Sequence, residues 1–237
     1  MPDVLCLQET KLKDDDFPVD PFAELGYFCV HFGQGRWNGV AILSRTPIEN
    51  VSKGAVTEEF ELSHEARHIS GTTSGVRVHS VYVPNGRSLL DPHFTYKLKW
   101  LRGLKELLAV ELKEFPNVVV AGDFNIAPRD EDVWDPIALQ GSTHVSSEER
   151  DILAEVMDLG LIDIHRLLTL GKSEFSWWDY RGGAFHKGEG MRIDLALFST
   201  GLAGKARSAY VDRDARKVSA FGKPSDHAPL VVEISDL

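Results

Sequence analysis

Short runs of apolar or alternating residues recur along the whole chain and constrain its fold more than any other feature. Each run is at most about eight residues long and is bounded by Gly, Pro, Asn, Asp or Ser, which is typical of β-strands. The runs cover residues 4–7, 27–32, 40–43, 68–72, 76–83, 118–121, 175–178, 193–198, 209–211 and 230–234. A chain with this many short strands is expected to fold around β-sheets.

Two helices are expected between the strands. Leucines at three- and four-residue spacing over 98–112, followed by Pro116, predict an amphipathic helix that packs on a sheet. Ser146 with Glu149 three residues later predicts a capping box and a second helix that ends before Gly160. So few helices favour two packed sheets covered by helices over a regular parallel βαβ array, and the expected class is α/β.

Composition and chain organisation exclude several classes of protein. Thirty-six acidic against 26 basic residues give a formal charge of −10, so any nucleic-acid site must be a local basic patch. The longest aliphatic runs, 118–121 and 230–232, are far shorter than the ~18 residues of a membrane span. No secretory signal follows Met1, and two cysteines make no disulfide framework. We expect a cytoplasmic protein with no membrane contact, and one domain over residues 1–237.

Acidic and amide side chains recur where the apolar runs end. They are Glu9, Asp123, Asn125, Asp194 and Asp226. The imidazole of His227 follows Asp226 directly. A buried carboxylate is costly unless it is paired or binds a metal. Oxygen ligands suit Mg²⁺, which keeps several waters and takes further contacts from substrate phosphate. One explanation for all four carboxylates is therefore a shared Mg²⁺ ion.

Taken singly, each of these residues has an ordinary structural explanation. An Asp at the end of a strand is most often a turn or cap residue. Asp194 alone is compatible with an ion pair to Arg192 or to another base, and His227 alone with a partly buried histidine. Residues 82–86 alone are compatible with an ordinary strand-to-turn ending. Only the joint pattern favours a functional site.

Five motifs occur in a fixed order along the chain: LQETK, YVPNG, GDFN, RIDL and SDHAP. With them the chain resembles the exonuclease III family of abasic-site endonucleases, within the endonuclease/exonuclease/phosphatase superfamily, over essentially its whole length. GDFN and SDH are shared across the superfamily, whereas YKLKWL and the segment 175–195 are typical of the bacterial branch. The resemblance implies a four-layer α/β sandwich of two packed mixed β-sheets flanked by helices. It also implies Mg²⁺- or Mn²⁺-dependent hydrolysis of DNA phosphodiesters at abasic sites and 3′ ends.

The resemblance further implies roles for individual residues. The implied catalytic residues are Tyr82, Asp123, Asn125, Asp194 and His227. The implied metal ligands are Glu9, Asp123, Asn125, Asp226 and His227, with Glu9 as the principal ligand. Asp123 would serve as base, and an Asp194 carboxylate beside His227 would favour the charged imidazole as a donor to the phosphate.

Substrate contacts are expected from a pocket and a basic rim. The implied substrate-binding residues are Asn85, Arg87, Trp177, Trp178, Arg181, Met191 and Ile193, of which the tryptophans, Met191 and Ile193 would line a pocket for an extruded abasic sugar. Alternation along a strand would place at least one tryptophan in the core. The expected basic rim comprises Lys11, Lys13, Arg36, Arg87, Lys97, Lys99, Arg181, Lys187, Arg192 and Lys223. Each rim residue alone is compatible with a solvated surface charge.

The sequence therefore predicts a Mg²⁺-dependent DNA repair nuclease that acts as a monomer on duplex DNA in the bacterial cytosol or nucleoid. Two alternatives stay open: a phosphomonoesterase or phospholipase on the same scaffold, and a catalytically inactive remnant. Members of the family place a strand, an Asn-bearing loop and a helix before the segment that matches residues 2–5. We therefore expect the natural gene product to begin upstream of Met1, and the 237-residue form to be less stable and less active.

Overall fold

A computed structural model describes residues 1–58, 60–169, 174–217 and 222–235. The strands are β1 Val4–Gln8, β2 Phe28–Phe32, β3 Val40–Ser44, β4 Glu49–Lys53, β5 His68–Thr73, β6 Val76–Tyr82, β7 Val118–Asp123, β8 Leu161–Asp163, β9 Asp194–Ser199, β10 Ala206–Val211 and β11 Leu230–Ile234. The α-helices are α1 Val19–Glu24, α2 Pro92–Glu114, α3 Ser147–Met157, α4 Ile164–Thr169, α5 Ala184–Lys187 and α6 Thr200–Ala203. The described helices include none long and apolar enough to cross a membrane.

A six-stranded mixed sheet in the order β4-β5-β6-β7-β9-β8 forms the centre of the fold. Strands β6 and β7 are parallel, and the other neighbours are antiparallel. The register places Tyr82 beside Asp123, and Asp123 beside Asp194. Gly122 has a φ of +144°, and a Cβ there would lie 2.1 Å from the Val81 carbonyl oxygen, so this position requires glycine. Three of the predicted site residues are thus neighbours on three adjacent strands.

The helices α2 and α3 cover one face of this sheet. Pro92 begins α2, and the Asp91 side chain caps it by accepting from the His93 backbone N–H at 2.8 Å. The residues that pack between the helices and the sheet include Trp100, Leu101, Leu104, Leu108, Ile152, Leu153, Val156, Val118, Val120, Leu195 and Leu197. The leucine-rich helix is confirmed, because its leucines contribute to this core.

Two smaller antiparallel sheets cover the opposite face. One has the order β1-β3-β2, and the other pairs β10 with β11. The residues that join them to the six-stranded sheet include Val40, Ile42, Ala206, Ala209, Ile69, Val78, Ala196 and Phe198. Phe22 of α1 packs beyond β1 and β3, with Leu5 and Leu43. The order of layers is therefore helix, sheet, sheet, helix, as expected for a four-layer α/β sandwich.

The α/β class with packed sheets and flanking helices is confirmed, and the second layer differs in detail from the mixed sheet that was expected. Among the residues that the structure describes, only the six-stranded sheet is mixed, and the second layer consists of two separate antiparallel pieces. Within the described ranges of the chain, β1 pairs only with β3, and β11 pairs only with β10. Each of these two strands is therefore an edge strand.

The strand predictions missed two strands and placed one where none forms. Strand β4 is mostly exposed and polar, and β8 has only three residues, so neither produced an apolar run. The run 175–178 is not a strand: Trp177 forms isolated bridges with Met191 and His227, and no continuous ladder follows. Hydrophobic alternation reports burial on one side, which an extended loop segment can share with a strand.

Candidate active site

A cavity of about 180 Å³ opens beside the ends of β1, β6 and β7. Its lining residues are Glu9, Tyr82, Asn85, Asp123, Asn125, His144, Trp177, Ile193, Asp226 and His227. Nine of these ten come from the set of site residues predicted from the sequence. Residues that are far apart in the chain therefore meet at one place.

The turn after β7 fixes Asp123 and Asn125 relative to each other. The Asn125 backbone N–H donates to Asp123 Oδ1 at 2.8 Å, and Asn125 Nδ2 donates to Asp123 Oδ2 at 2.9 Å. Asn125 Nδ2 also donates to the Val83 carbonyl oxygen, and Asn125 Oδ1 accepts from Asn85 Nδ2 at 3.3 Å. Asn125 has a φ of +52°, a left-handed conformation that Asn tolerates better than most residues. Both donors of its amide thus hold the turn and the carboxylate.

Burial raises the pKa of Asp123 to about 7. The positive charge of His227 opposes this effect, whereas the negative charges of Asp194 and Glu9 add to it. A carboxyl group with a pKa near neutrality is suited to exchange protons at physiological pH. Asp123 therefore has the properties of a general base.

Glu9 lies immediately after β1 and is held by two donors. Tyr82 Oη donates to Glu9 Oε1 at 2.6 Å, and Lys11 Nζ pairs with Glu9 Oε2 at 2.8 Å. Burial raises the pKa of Glu9, but the hydrogen bonds from Lys11 and Tyr82 outweigh burial and leave the pKa below its usual value. Burial, followed by the charge of Glu9, raises the pKa of Tyr82 well above its usual value. Glu9 is therefore an anion beside a neutral phenol.

His227 and Asp194 form a hydrogen-bonded pair at 2.8 Å between Nδ1 and Oδ2. Burial lowers the pKa of His227, but the charge and hydrogen bond of Asp194, with Asp123 and Asp226, outweigh burial and raise the pKa to about 10. The ring is therefore an imidazolium at neutral pH, and its Nε2–H is the remaining donor. Of the bases considered as partners of Asp194, His227 is therefore the one in contact, whereas Arg192 pairs with Asp132 and Asp163.

The segment 175–178 ties the histidine loop to the strand that carries Asp194. Ser176 Oγ accepts from the backbone N–H groups of Ile193 and Asp194, each at 3.1 Å. The Ser176 carbonyl oxygen accepts from the Ala228 backbone N–H at 2.7 Å. On the neighbouring residue, Trp177 Nε1 donates to Asp226 Oδ2 at 3.1 Å. This segment therefore sets the distance between Asp194 and the loop that bears Asp226 and His227.

Four of the predicted substrate-binding residues do not line the cavity. Trp178 is buried in a separate cluster with Phe175 and Ala228, so it is the tryptophan of the pair that belongs to the core. Met191 is buried beneath Trp177 and Ile193. Arg87 and Arg181 are exposed outside the cavity. Their predicted contacts with substrate stay predictions.

Two members of the expected basic rim are in fact buried. The Lys97 side chain is inside the protein and pairs with Glu149. Arg192 pairs with Asp132 at 2.7 Å and with Asp163 at 2.8 Å. Both were assigned to the rim because sequence alone does not distinguish a solvated cation from one that is neutralised by a distant acid. The other eight predicted rim residues are exposed.

His144 lines the cavity and was missed by the sequence analysis. Its Nδ1 lies 2.5 Å from the Asn125 carbonyl oxygen, and because a carbonyl only accepts, Nδ1 carries the hydrogen. Burial and the charge of Lys97 lower its pKa to about 4, so the ring is neutral. His144 lies in a polar loop with no motif around it, so no sequence signal identified it.

The donor set suits a hard cation that keeps most of its water. Among the described residues, no three His, Cys, Asp or Glu side chains are gathered closely enough to enclose a metal ion. Glu9 and Asp226 nevertheless both line the cavity. Mg²⁺ is usually bound by one or two carboxylates, with waters and substrate phosphate completing its shell. These residues fit such an ion, whereas a protonated His227 has no lone pair to offer.

Comparison with known proteins identifies the family. A model of the Endonuclease/Exonuclease/phosphatase family matches residues 1–227. The chain belongs to this family. Exodeoxyribonuclease III of Haemophilus influenzae is 32% identical, with 98% of this chain and 90% of the relative covered.

Two solved structures are similar along nearly the whole chain. The 3′ phosphatase NExo from Neisseria, bound to a product DNA hairpin, has 39% identity and a TM-score of 0.94, with 99% of this chain and 89% of that chain covered. An AP endonuclease from Archaeoglobus fulgidus has 34% identity and a TM-score of 0.92, with 98% and 89% covered.

Within the endonuclease/exonuclease/phosphatase family the chain falls in the exonuclease III group. It is a hydrolytic nuclease of DNA repair. The nucleases of this group depend on a divalent cation.

Proposed function

We propose that this nuclease is Mg²⁺-dependent and hydrolyses phosphate esters at the 3′ ends of duplex DNA. The observation that carries the proposal is the convergence of a base, Asp123, and a cationic donor, His227, on one small cavity. Hydrolysis of a phosphate ester needs both a base for water and positive charge near the non-bridging oxygens.

In the proposed reaction, Asp123 accepts the proton of the attacking water. Its two hydrogen bonds from Asn125 fix the carboxylate, so the lone pair that receives the proton has a defined direction. His227 donates a hydrogen bond through Nε2 to a phosphoryl oxygen as negative charge develops there. Asp194 holds the imidazolium in the protonated form and the correct orientation.

Glu9 and Asp226 would hold the Mg²⁺ ion. When bound, the ion supplies positive charge that stabilises the phosphate oxygens in the transition state. Tyr82 and Lys11 orient Glu9, and Trp177 orients Asp226, so both carboxylates are fixed before a cation arrives. Asp123, Asn125 and His227, which the sequence also suggested as metal ligands, are more fully used in hydrogen bonds of the site.

Incision at abasic sites is the second candidate activity. Trp177 and Ile193 give the cavity an apolar wall that an extruded sugar without a base would contact. The similarity to the Archaeoglobus AP endonuclease supports this activity. The similarity to the Haemophilus exodeoxyribonuclease III and to the Neisseria 3′ phosphatase supports action at 3′ ends. The sequence identity to the Neisseria structure, 39%, is higher than the 34% identity to the Archaeoglobus structure.

Three duplexes test the proposal in parallel: one with an unmodified recessed 3′ end, one with a 3′-phosphate, and one with an internal abasic site. We expect Mg²⁺-dependent hydrolysis of the first two, abolished by EDTA and by Asp123→Asn. Asp20→Asn, at an exposed carboxylate of α1, is the matched control and should retain full activity. Cleavage of the abasic duplex alone would replace our first assignment by the second.

The metal assignment has its own test. Glu9→Gln keeps the shape of the side chain and removes the charge that attracts the cation, so its activity should recover partly at high Mg²⁺. Glu24→Gln, at an exposed position in α1, should leave the Mg²⁺ dependence unchanged. An identical Mg²⁺ titration for wild type and Glu9→Gln would remove Glu9 from the set of ligands.

A function on chromosomal DNA is consistent with the predicted location in the bacterial cytosol or nucleoid. The cavity of about 180 Å³ is assembled from residues of one chain, so a monomer is sufficient for the proposed chemistry.

A further inference from the structure

The most deeply buried cation near the cavity is Lys97 in α2. Its side chain has no exposed surface, and its ammonium group has two partners among the described residues. One is the carboxylate of Glu149 in α3, which is also fully buried. The other is the backbone carbonyl oxygen of Asn125, which accepts from Lys97 Nζ at 2.6 Å. A cation in this position requires an explanation, because burying two charges costs several kcal/mol of desolvation unless the geometry compensates.

Glu149 connects this ammonium to the loop that precedes α3. Its Oε1 accepts from Thr143 Oγ1 at 2.9 Å and from the His144 backbone N–H at 3.0 Å. Its Oε2 accepts from Ser146 Oγ at 2.6 Å, as part of the capping box of α3. The carboxylate therefore fixes both the start of α3 and the loop that carries His144.

Both branches of this network end at the Asn125 carbonyl oxygen. Lys97 Nζ and His144 Nδ1 donate to the same oxygen, at 2.6 and 2.5 Å. The residue that bears this oxygen has a left-handed backbone and holds the Asp123 carboxylate with its N–H and its amide. The carbonyl, the N–H and the side chain are all attached through the Asn125 Cα, so a shift of the carbonyl would displace the groups that orient the base.

We propose that Lys97 is a positioning residue of the reaction, whose ammonium, neutralised by Glu149, clamps the Asn125 carbonyl and thereby holds Asp123 in its productive orientation. The inference rests on the proposed role of Asp123 as base. It adds a residue that touches neither water nor substrate and lies behind the cavity wall.

A purely structural role as a link between α2 and α3 is the competing explanation. The same two helices are already joined by a second pair, Lys105 with Glu155, at 2.6 Å. This pair is partly exposed, and within the described part of the chain Lys105 donates to Glu155 and not to the Asn125 peptide. It is therefore a matched control for a helix-linking role.

The test separates activity from stability with single and double variants. Lys97→Met leaves Glu149 buried without its cation, so we expect both a lower Tm and a lower kcat. Lys97→Met/Glu149→Gln removes both charges, and since buried ion pairs can often be replaced by neutral residues without loss of stability, its Tm should largely recover. Its kcat should stay roughly 10- to 100-fold below wild type with KM within about twofold, because a small misplacement of a catalytic group costs rate of this order.

Lys97→Gln and Lys105→Met complete the set. Lys97→Gln keeps an uncharged N–H donor, so its kcat should lie between those of wild type and Lys97→Met. If the double variant does not fold, the comparison of Lys97→Gln with Lys97→Met decides the test. Lys105→Met should leave kcat unchanged. All rates are measured well below the lowest Tm of the set, on a 3′-end substrate that wild type hydrolyses.

A double variant with wild-type kcat, or Lys97→Gln and Lys97→Met variants that are folded with wild-type kcat, would overturn the positioning role. A rise in KM at unchanged kcat would also overturn it, because the clamp acts on the base and not on binding. A failure of the proposed function would give a different result from a failure of the positioning role. In that case wild type would be inactive on every DNA substrate, or Asp123→Asn would be fully active.

Discussion

His227 keeps its proton through the pH range in which Asp123 loses its own. The pKa of Asp123 is raised to about 7 and that of His227 to about 10. A general base acts only when deprotonated, and a cationic donor only when protonated. We therefore expect kcat/KM to rise as pH increases through about 7 and to fall as pH increases through about 10.

Mg²⁺ should shift this pH profile in a definite direction. A nearby positive charge favours the carboxylate, so a higher Mg²⁺ concentration should move the acidic limb of the profile to lower pH. The measurement is kcat/KM against pH at two Mg²⁺ concentrations, with His227→Asn as the variant that should lose the alkaline limb. An acidic limb that is absent above pH 5 at both concentrations would count against Asp123 as the base.

Asp194 and His227 should behave as one unit in kinetics. Because Asp194 acts through the imidazolium, the loss in kcat of Asp194→Asn/His227→Asn should be little greater than that of either single variant. A double-mutant cycle on kcat measures this coupling, and circular dichroism checks that each variant is folded. Losses that multiply would mean that the two groups work separately.

Polar side chains at the ends of strands predicted five of the ten lining residues, and the resemblance to the exonuclease III family added Tyr82, Asn85, Trp177 and Ile193. The reason is physical: β6, β7 and β9 place their termini side by side, so polar groups at those positions meet. His144 was not predicted, because its place in the cavity wall depends on how Glu149 of α3 holds the loop that precedes this helix. The burial of Lys97 was equally hidden, since its neutralising acid is 52 residues away.

Helix boundaries were predicted well because they depend on local chemistry. Ser146 caps α3 with Glu149 in the expected box, and α3 ends before Gly160. The segment 175–178 was predicted less well, since its extended shape comes from contacts with residues 191 and 226–228 rather than from a sheet. Local patterns therefore predict capped helices, whereas a bridging loop depends on tertiary contacts.

A buried group of charges joins the turn at Asp132, which lies before α3, to the end of β8, to α4 and to the segment before β9. Arg192 donates to Asp132 and Asp163, and Arg166 also pairs with Asp132. Arg192→Leu would leave Asp163 without its buried cation, so the free energy of unfolding should fall by about 3–5 kcal/mol. Urea denaturation measures the change.

Arg207→Leu, at an exposed position in β10, is the control for this substitution. Its free energy of unfolding should stay within about 0.5 kcal/mol of wild type. Equal losses for the two variants would show that the buried charges contribute nothing beyond the side chain itself.

At the scale of the whole molecule, the two largest hydrophobic clusters of the described residues lie on opposite faces of the six-stranded sheet. The helices α2 and α3 pack on one face and the smaller sheets on the other, so neither core is complete without the central strands. We infer that the chain folds as one domain, as expected from the absence of a linker in the sequence. The split of the second layer was not predictable, because apolar runs do not say which strands pair.

The exposed basic residues lead us to expect salt-dependent DNA binding, although the net charge of the chain is −10. Arg181 is 93% exposed in its side chain beyond the cavity, where it could neutralise one DNA phosphate. Arg181→Ala should then reduce the slope of log Kd against log salt by about one unit. Lys113→Ala, at the end of α2 that lies opposite the cavity, should leave the slope unchanged. Equal slopes for all three proteins would exclude a phosphate contact by Arg181.

The division of the second layer links catalysis to stability through ion binding. Glu9 follows β1 of the three-stranded sheet, whereas Asp226 precedes β11 of the two-stranded sheet, and the described residues form no ladder between these sheets. An ion held by both carboxylates would cross-link the two pieces in the native state only. By mass action, Mg²⁺ at about 100 times its Kd should then add about 2.7 kcal/mol to the free energy of unfolding. Calorimetry should show a Tm that rises with Mg²⁺ in wild type and stays nearly constant in Glu9→Gln, so the protein would be most heat-resistant when it is loaded for reaction.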